Sequence, residues 1–599
     1  MRWAGQAAAL VAGLAGAAGV LVSQSFQMPQ LPPLPEEEVL LRAMRDEMAR
    51  VPLLAVVGGA DAPYFVSYTV SDAHSVRVSS VLGATVNVAR NEYRAPAIEV
   101  RVGSYEYDQT GHVQSGAYSG TRLDGVWPLD ANYAALRNSF WLATDVAFKA
   151  ALESLARKRA SQQNAAADPN PLPNFSRVEP VVSIPKIVEP KIDPAEWTAR
   201  ANRLSGIFKR YPEILASGVD VQAMTGITTM LTSEGTMIRY EDGIAWIMAK
   251  AEAQAADGML VHDAVSIQSL TLDALASEAE LMREMTEMAE NVRALARAPA
   301  GEAYTGPVLF EPRAAAQLLA QLLGDHLRIS RRPLTNPGQA VNLLPSELES
   351  RLNARVLPEF FDVVADATQR SFNGRPLVGF YEFDLEGVRP RRVQVIEKGI
   401  LKNFLTTRTP VRGFPVSNGH ARLPGNFGAR TAAPGNLFVT ARESAPLAQL
   451  REQLLARVRQ LEKPYGLLVR KLDFPYAGST AELQALAQAN QQAGGAARPV
   501  SPPLLVYRVY PDGREELVRG LRFQRLSTRA LRDVVAASSE TAVFEYVNTT
   551  TALAMLGSGG YLAPTSVISP GLLFEELEFD VPREQLPKPP TVPPPAMTP

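Results

Sequence analysis

Phe65-Val-Ser-Tyr-Thr-Val70, Ser75-Val-Arg-Val-Ser-Ser-Val-Leu82 and Ala97-Ile-Glu-Val-Arg-Val102 alternate apolar and polar side chains. A period of two sends successive side chains to opposite faces, so these segments predict three half-buried strands. On either side the period lengthens. Glu36 to Arg50 places Val39, Leu40, Ala43 and Met44 at helical spacing behind a carboxylate-rich start. Asp130 to Lys158 does the same with Leu136, Phe140, Leu142, Ala143, Val146 and Ala147.

Ser161 to Pro173, rich in Asn, Ala, Asp and Pro, predicts an exposed linker. Ser233-Glu-Gly235 and Glu241-Asp-Gly243 are turn signals that close hairpins, and Leu272 to Ala296 is a long amphipathic helix. Composition shifts at Ala298-Pro-Ala-Gly301, which divides an N-terminal part (residues 36–300) from a C-terminal part (residues 301–581). In the second part short strands meet at Leu385-Glu-Gly387, Glu397-Lys-Gly399 and Pro511-Asp-Gly513. One helix interrupts them, with Ser444 as expected N-cap, a stripe of Leu447, Leu450, Leu454, Val458 and Leu461, and Pro464 as its stop. Residues 582–599 are a Pro-rich tail expected to be disordered, and no internal repeat is found.

At 599 residues the chain exceeds one core, and 46% hydrophobic with 20% charged residues is globular composition. Sixty basic against 62 acidic residues leave no field that would recruit nucleic acid. The absence of cysteine removes disulfides, thiolate nucleophiles, Cys-based metal sites and a lipoprotein anchor. Arg2 followed by the Ala/Gly/Leu/Val run Ala7–Val22, with small residues at Ser23 and Ser25, reads as a signal peptide over residues 1–25. An uncleaved N-terminal anchor is the alternative. A Pro-rich spacer, residues 26–35, follows, and nothing later is apolar enough to span a bilayer. The expected location is periplasmic or extracellular, without stable membrane insertion once the signal is cleaved.

Generic catalytic signatures are absent: no Walker A loop, nucleophile elbow or dinucleotide fingerprint occurs. The five histidines, His74, His112, His262, His326 and His420, include no pair within a helical turn, so no local zinc pair is available.

Between Gly306 and Arg422 the chain resembles the C-terminal half of the TldD/TldE (PmbA) peptidase family. The resemblance rests on Gly306-Pro-Val-Leu-Phe-Glu-Pro-Arg-Ala-Ala-Ala-Gln-Leu-Leu319, Phe383-Asp-Leu-Glu-Gly-Val388, Val395-Ile-Glu-Lys-Gly-Ile-Leu-Lys402 and Ser417-Asn-Gly-His-Ala-Arg422. Ser566–Phe574 with Glu575-Glu576 resembles the family's closing strand, and the likeness extends more loosely to the N-terminal half. It implies an α+β protein: an N-terminal α/β mixed-sheet domain, then a mostly antiparallel, barrel-like β domain with a few helices. Paired subunits would enclose a chamber that admits unfolded or short peptides in extended form.

TldD-type members carry His-Glu-x-x-x-His and a later cysteine as zinc ligands. The matching positions here are Phe310, Glu311 and Ala315, and the cysteine has no counterpart. The likeness is therefore to TldE, the partner without the metal motif. It implies no cofactor in this chain, zinc only in a TldD-like paralogue, and no catalysis by this chain alone. A metal-independent peptidase with a rebuilt site is one alternative; Glu311 and His420 are then the candidate catalytic groups. A non-catalytic, homodimeric peptide-binding envelope protein is the other. Asn418, His420 and Arg422 are candidate substrate-cleft residues, and Asp325 is read as capping or solvating a helix end.

Overall fold

The computed structural model describes residues 29–581 except 30, 37, 57–60, 114–120, 123–126, 164–168, 189–191, 336–345, 426, 479, 493–498 and 550–561, with isolated residues between 586 and 595. The signal peptide expected over residues 1–25 lies outside the described residues, as does most of the Pro-rich tail.

The opening strands form one long hairpin. Pro63–Val81 and Ala84–Val102 pair antiparallel along their length and turn at Leu82-Gly83, where φ is 49° and 78°. Two successive positive φ values match the right-handed twist of the paired strands. The break expected between Val70 and Ser75 does not occur, which corrects the three-strand reading. Polar pairs carry the ladder across it: Ser71 Oγ lies 2.7 Å from Thr228 Oγ1, and Arg94 Nε donates to Asp72 Oδ1 at 2.5 Å. Ile214–Thr232 pairs on the far side of Pro63–Val81. Met237–Glu241 follows at the Ser233-Glu-Gly235 turn, and Ile244–Gln254 with Leu260–Ser269 complete the meander. Among the described residues this mixed sheet has eight strands.

Its helices lie on one face. Along Pro63–Val81 the even-numbered Val66, Tyr68 and Val70 pack with residues of α1 (Val39–Met48) and α2 (Tyr133–Gln162). Val76 and Val78, of the same parity and so of the same face, pack with α3 (Pro194–Gly206) and α4 (Glu278–Arg297). The caps are local: Asn132 for α2, Asp193 for α3, and a Ser277/Glu280 capping box for α4. Leu142, expected on the inner side of α2, is exposed. The opposite face presents Phe65, Ser67, Thr69 and Glu99 to Leu385, Glu386, Arg408 and Arg430 of the C-terminal half.

The second sheet is built around Ala563–Asp580. This strand pairs antiparallel with Tyr304–Phe310 and Val534–Asn548 and parallel with Asn436–Ala441. Tyr304–Phe310 continues, parallel, to Gly466–Leu472. Eleven strands join among the described residues. The sheet stays open, in place of the expected barrel-like closure. Its path ends on two short strands, Ile400–Leu401 and Glu515–Val518, which do not pair with each other. Helix α5 (Pro312–Leu322) is buried against the sheet, α6 (Leu447–Gln460) buries Leu450, Leu454 and Val458, and α7 spans Thr480–Gln492. Ser444 does not cap α6. The helix starts behind Pro446, and the Glu540 carboxylate, 93 residues away, accepts from Leu447 N at 2.9 Å. The whole is an α+β fold. Among the described residues no helix is long and apolar enough to cross a membrane.

Candidate functional site

Tyr304–Phe310 runs straight into α5, with Glu311 at the N-cap and Pro312 in the first turn. A proline there loses nothing, because its missing N–H would have had no helical partner. Phe310 is fully buried, its ring 5.4 Å from Phe574 and 6.2 Å from Phe523. Ala315 is likewise fully buried. Neither side chain offers a donor atom to a cation. Glu311 accepts from Arg470 Nε at 3.0 Å, and Arg470 Nη2 donates to Glu515 at 2.9 Å. The one carboxylate at these positions is thus committed to a guanidinium. The residues present at these positions do not fit a zinc ion. Among the described residues no group of three or more His, Cys, Asp or Glu side chains is placed to hold a metal ion.

His420 lies in a different environment, sharing none of these partners. Its ring is fully buried, with Nδ1 at 3.1 Å from Asn418 O and 3.0 Å from Asn418 Oδ1. Two acceptors on that side place the proton on Nδ1 and leave Nε2 a buried lone pair with no hydrogen-bond partner. Burial pushes the imidazole down to about 4. It is neutral at physiological pH, and among the described residues no acid or hydroxyl is hydrogen-bonded to it to orient it as a general base. Asn418 is a scaffold residue: its amide donates to Phe404 O, and its Oδ1 accepts from Thr406 N.

Arg422 is buried over the Tyr381 ring (4.4 Å) and donates to the Pro434 and Pro564 carbonyls. Asp384 accepts from Glu386 N, Val388 N and Ala421 N, so the Asp-Leu-Glu-Gly turn is folded around that carboxylate. Burial, reinforced by the neighbouring Glu386, still pushes Asp384 up to about 7. Asn418, His420 and Arg422 therefore do sit together, beside Asp384 and Tyr381, while Glu311 belongs to the Arg470 ion pair. Asp325 pairs with Arg328 at 2.8 Å instead of only meeting water.

Sequence reasoning missed the buried charges that join the two halves. Arg408 is 1% exposed; its Nε and Nη2 donate to Ser176 O at 2.9 and 2.7 Å, and Nη2 donates to Glu234 at 2.7 Å. Its guanidinium lies 3.9 Å from the Phe175 ring centre. Arg101 repeats the device from the other side, donating to Glu99, Asp108 and Gly428 O. Burial raises Asp108, but Arg101 and the bonds from Thr110 and Tyr64 outweigh it and hold the carboxyl below its usual range. Lys158, buried between the Asp108 and Thr110 carbonyls, is pushed down to about 8 by burial. No local pattern marks these residues. The only hint is arginine beside aromatic-rich strands.

Residues 303–478 match the family model described as the PmbA/TldA metallopeptidase C-terminal domain. A metalloprotease of Archaeoglobus fulgidus is 36% identical over 78 residues, which span 13% of this chain and only 17% of that relative. Two solved structures share the fold across 90% of this chain and all of theirs, each with a TM-score of 0.55. One is a candidate modulator of a DNA gyrase from Thermotoga maritima (14% identity); the other is TldE from Thermococcus kodakarensis (13% identity). The family match thus covers one domain of this chain, the metalloprotease relative is matched over a small part of its length, and the solved structures show a shared fold.

Proposed function

We propose that this chain is a TldE-like, metal-deficient member of the PmbA/TldD/TldE family and acts as the non-catalytic subunit of an exported metalloprotease complex. The observation that carries the reading is the packing of Phe310 and Ala315. The family's strand-to-helix entry is kept, yet its metal positions are filled with apolar core. A TldD-like paralogue would bring the zinc. This chain's contribution is shape: it supplies part of the wall of a chamber for unfolded or short peptides. Export to the periplasm or beyond belongs to the same proposal, motivated by the apolar run Ala7–Val22.

The test is co-expression of the mature chain with a TldD-like paralogue from the same genome. Light scattering would give the mass of the complex, and elemental analysis the zinc it holds. A stable hetero-complex with zinc confined to the paralogue is expected. A paralogue fully active alone, with no affinity for this chain, would overturn the reading. One tightly held zinc per protomer of the isolated chain would do so equally.

A further inference from the structure

Beyond strand Arg522–Phe523 the C-terminal half opens a cleft of about 760 Å³. Five arginines line it: Arg351, Arg355, Arg525, Arg529 and Arg532. Arg355 reaches Lys398 O at 3.4 Å and Glu359 at 3.6 Å. The guanidinium groups of the other four have no hydrogen-bond or ion-pair partner among the described residues. Arg525 also holds a left-handed backbone, with φ at 55°. A bulky side chain is uncommon in that region. The loop is fastened from below, where one Glu347 oxygen accepts from Thr528 N and Oγ1 at 2.9 Å each; the other is buried with no partner.

The floor is apolar, made by the buried Leu348, Val356, Leu526 and Leu577. Gln524 and Leu577 continue the strands that carry Phe523 and Phe574, the rings packed on Phe310, so the cleft adjoins the lost metal positions. Asp533, Glu576 and Glu578 stand among the arginines without ion-pairing to them.

Unpaired forks are geometrically suited to carboxylates, each of which can accept two parallel N–H bonds. The interspersed acids discriminate between anions. A densely charged surface or polyphosphate would press like charge onto Asp533, Glu576 and Glu578. A peptide with spaced acidic side chains would not, and its backbone N–H groups would meet those acids as donors. We infer that this cleft binds an acidic, partly apolar peptide segment. Arg351, Arg525, Arg529 and Arg532 take its Asp or Glu side chains, and Leu526 and Leu577 receive its apolar ones. The inference extends the peptide-handling reading to a surface of this chain alone and needs no partner subunit.

The test is fluorescence anisotropy with the full mature chain and a labelled peptide alternating Glu and Leu, beside the same peptide with Gln for Glu. Pyrophosphate and phosphatidylglycerol vesicles serve as competitors. The Glu peptide should bind at least about tenfold tighter than the Gln peptide, with affinity falling as salt rises. Arg525→Glu with Arg529→Glu, both exposed, should abolish the preference. Equal binding of the two peptides overturns the inference without any variant. So does a preference that survives the double substitution, or displacement by pyrophosphate or vesicles at concentrations below the peptide's own. Failure to capture a TldD-like partner would leave this result standing, and the converse holds as well.

Discussion

Arg408→Ala should uncouple the two halves of the molecule. The substitution removes two bonds to Ser176 O and one to Glu234, together with the contact over Phe175. What remains is worse than a simple loss. Glu234 keeps Tyr105 Oη as a donor at 2.6 Å, but its second oxygen is buried without a partner even in the intact protein. Breaking such a buried pair from one side costs about 3–5 kcal/mol, because an uncompensated charge stays behind. The fork serves two bonds at once to a single carbonyl, so Arg408→Lys should recover less than half of that. All five tryptophans (Trp3, Trp127, Trp141, Trp197 and Trp246) precede the second sheet. Their fluorescence during urea unfolding therefore reports the N-terminal half, while circular dichroism reports both. Coincident transitions in the wild type should separate in Arg408→Ala. Coincident curves with a loss under about 1 kcal/mol would refute the claim that this arginine fastens the halves.

Phe310→Ala should cost about 3–5 kcal/mol in reversible unfolding, since a ring held between Phe523 and Phe574 leaves a cavity; Phe310→Leu should cost far less. Glu311→Gln should change stability by less than about 1 kcal/mol, the value of a partly exposed ion pair, and should leave any peptide hydrolysis by the isolated chain unaltered. His420, held at about 4 against 6.5 for the free side chain, stays neutral where the unfolded chain protonates. The unfolded state then binds more protons, so His420 makes stability fall as pH drops from 6.5 to 4, by about 3 kcal/mol. Asp384 acts oppositely, its raised value favouring the folded state at acid pH. The effect is accordingly read as wild type minus His420→Gln across that range, and a difference flat with pH would contradict it.

The sequence announces whatever is local. Alternation in Phe65–Val70 and Ala97–Val102, the Ser233-Glu-Gly235 turn and the Leu450/Leu454/Val458 stripe all act within a few residues, and each lies where its period places it. Errors arise where distant residues take over a local task. Glu540 supplies the cap expected of Ser444, and Thr228 and Arg94 carry a strand through Ser71 and Asp72, which in isolation read as a break. The candidate site divides in the same way. The apolar character of positions 310 and 315 is plain from residue type, and the cluster of Asn418, His420 and Arg422 lies within five positions. The Arg470 partner of Glu311 is 159 residues away and the Ser176 partner of Arg408 is 232 away, beyond the reach of any spacing rule.

The position of Ala563–Asp580 governs how the molecule can come to be folded. This strand contacts four others among the described residues, two of them flanking it over much of its length, and it is made after all of them. Tyr304–Phe310 therefore cannot complete its ladder until some 250 further residues have been synthesised, a separation that slows folding in proportion to its loop-closure cost. Until then the nascent C-terminal half carries Val308, Leu309 and Phe310 on an unpaired edge, a state open to aggregation and to chaperone binding. A chain threaded across a membrane before folding would benefit from that delay. The same arrangement makes a stop codon or a proteolytic nick before residue 563 far more damaging than the length removed suggests.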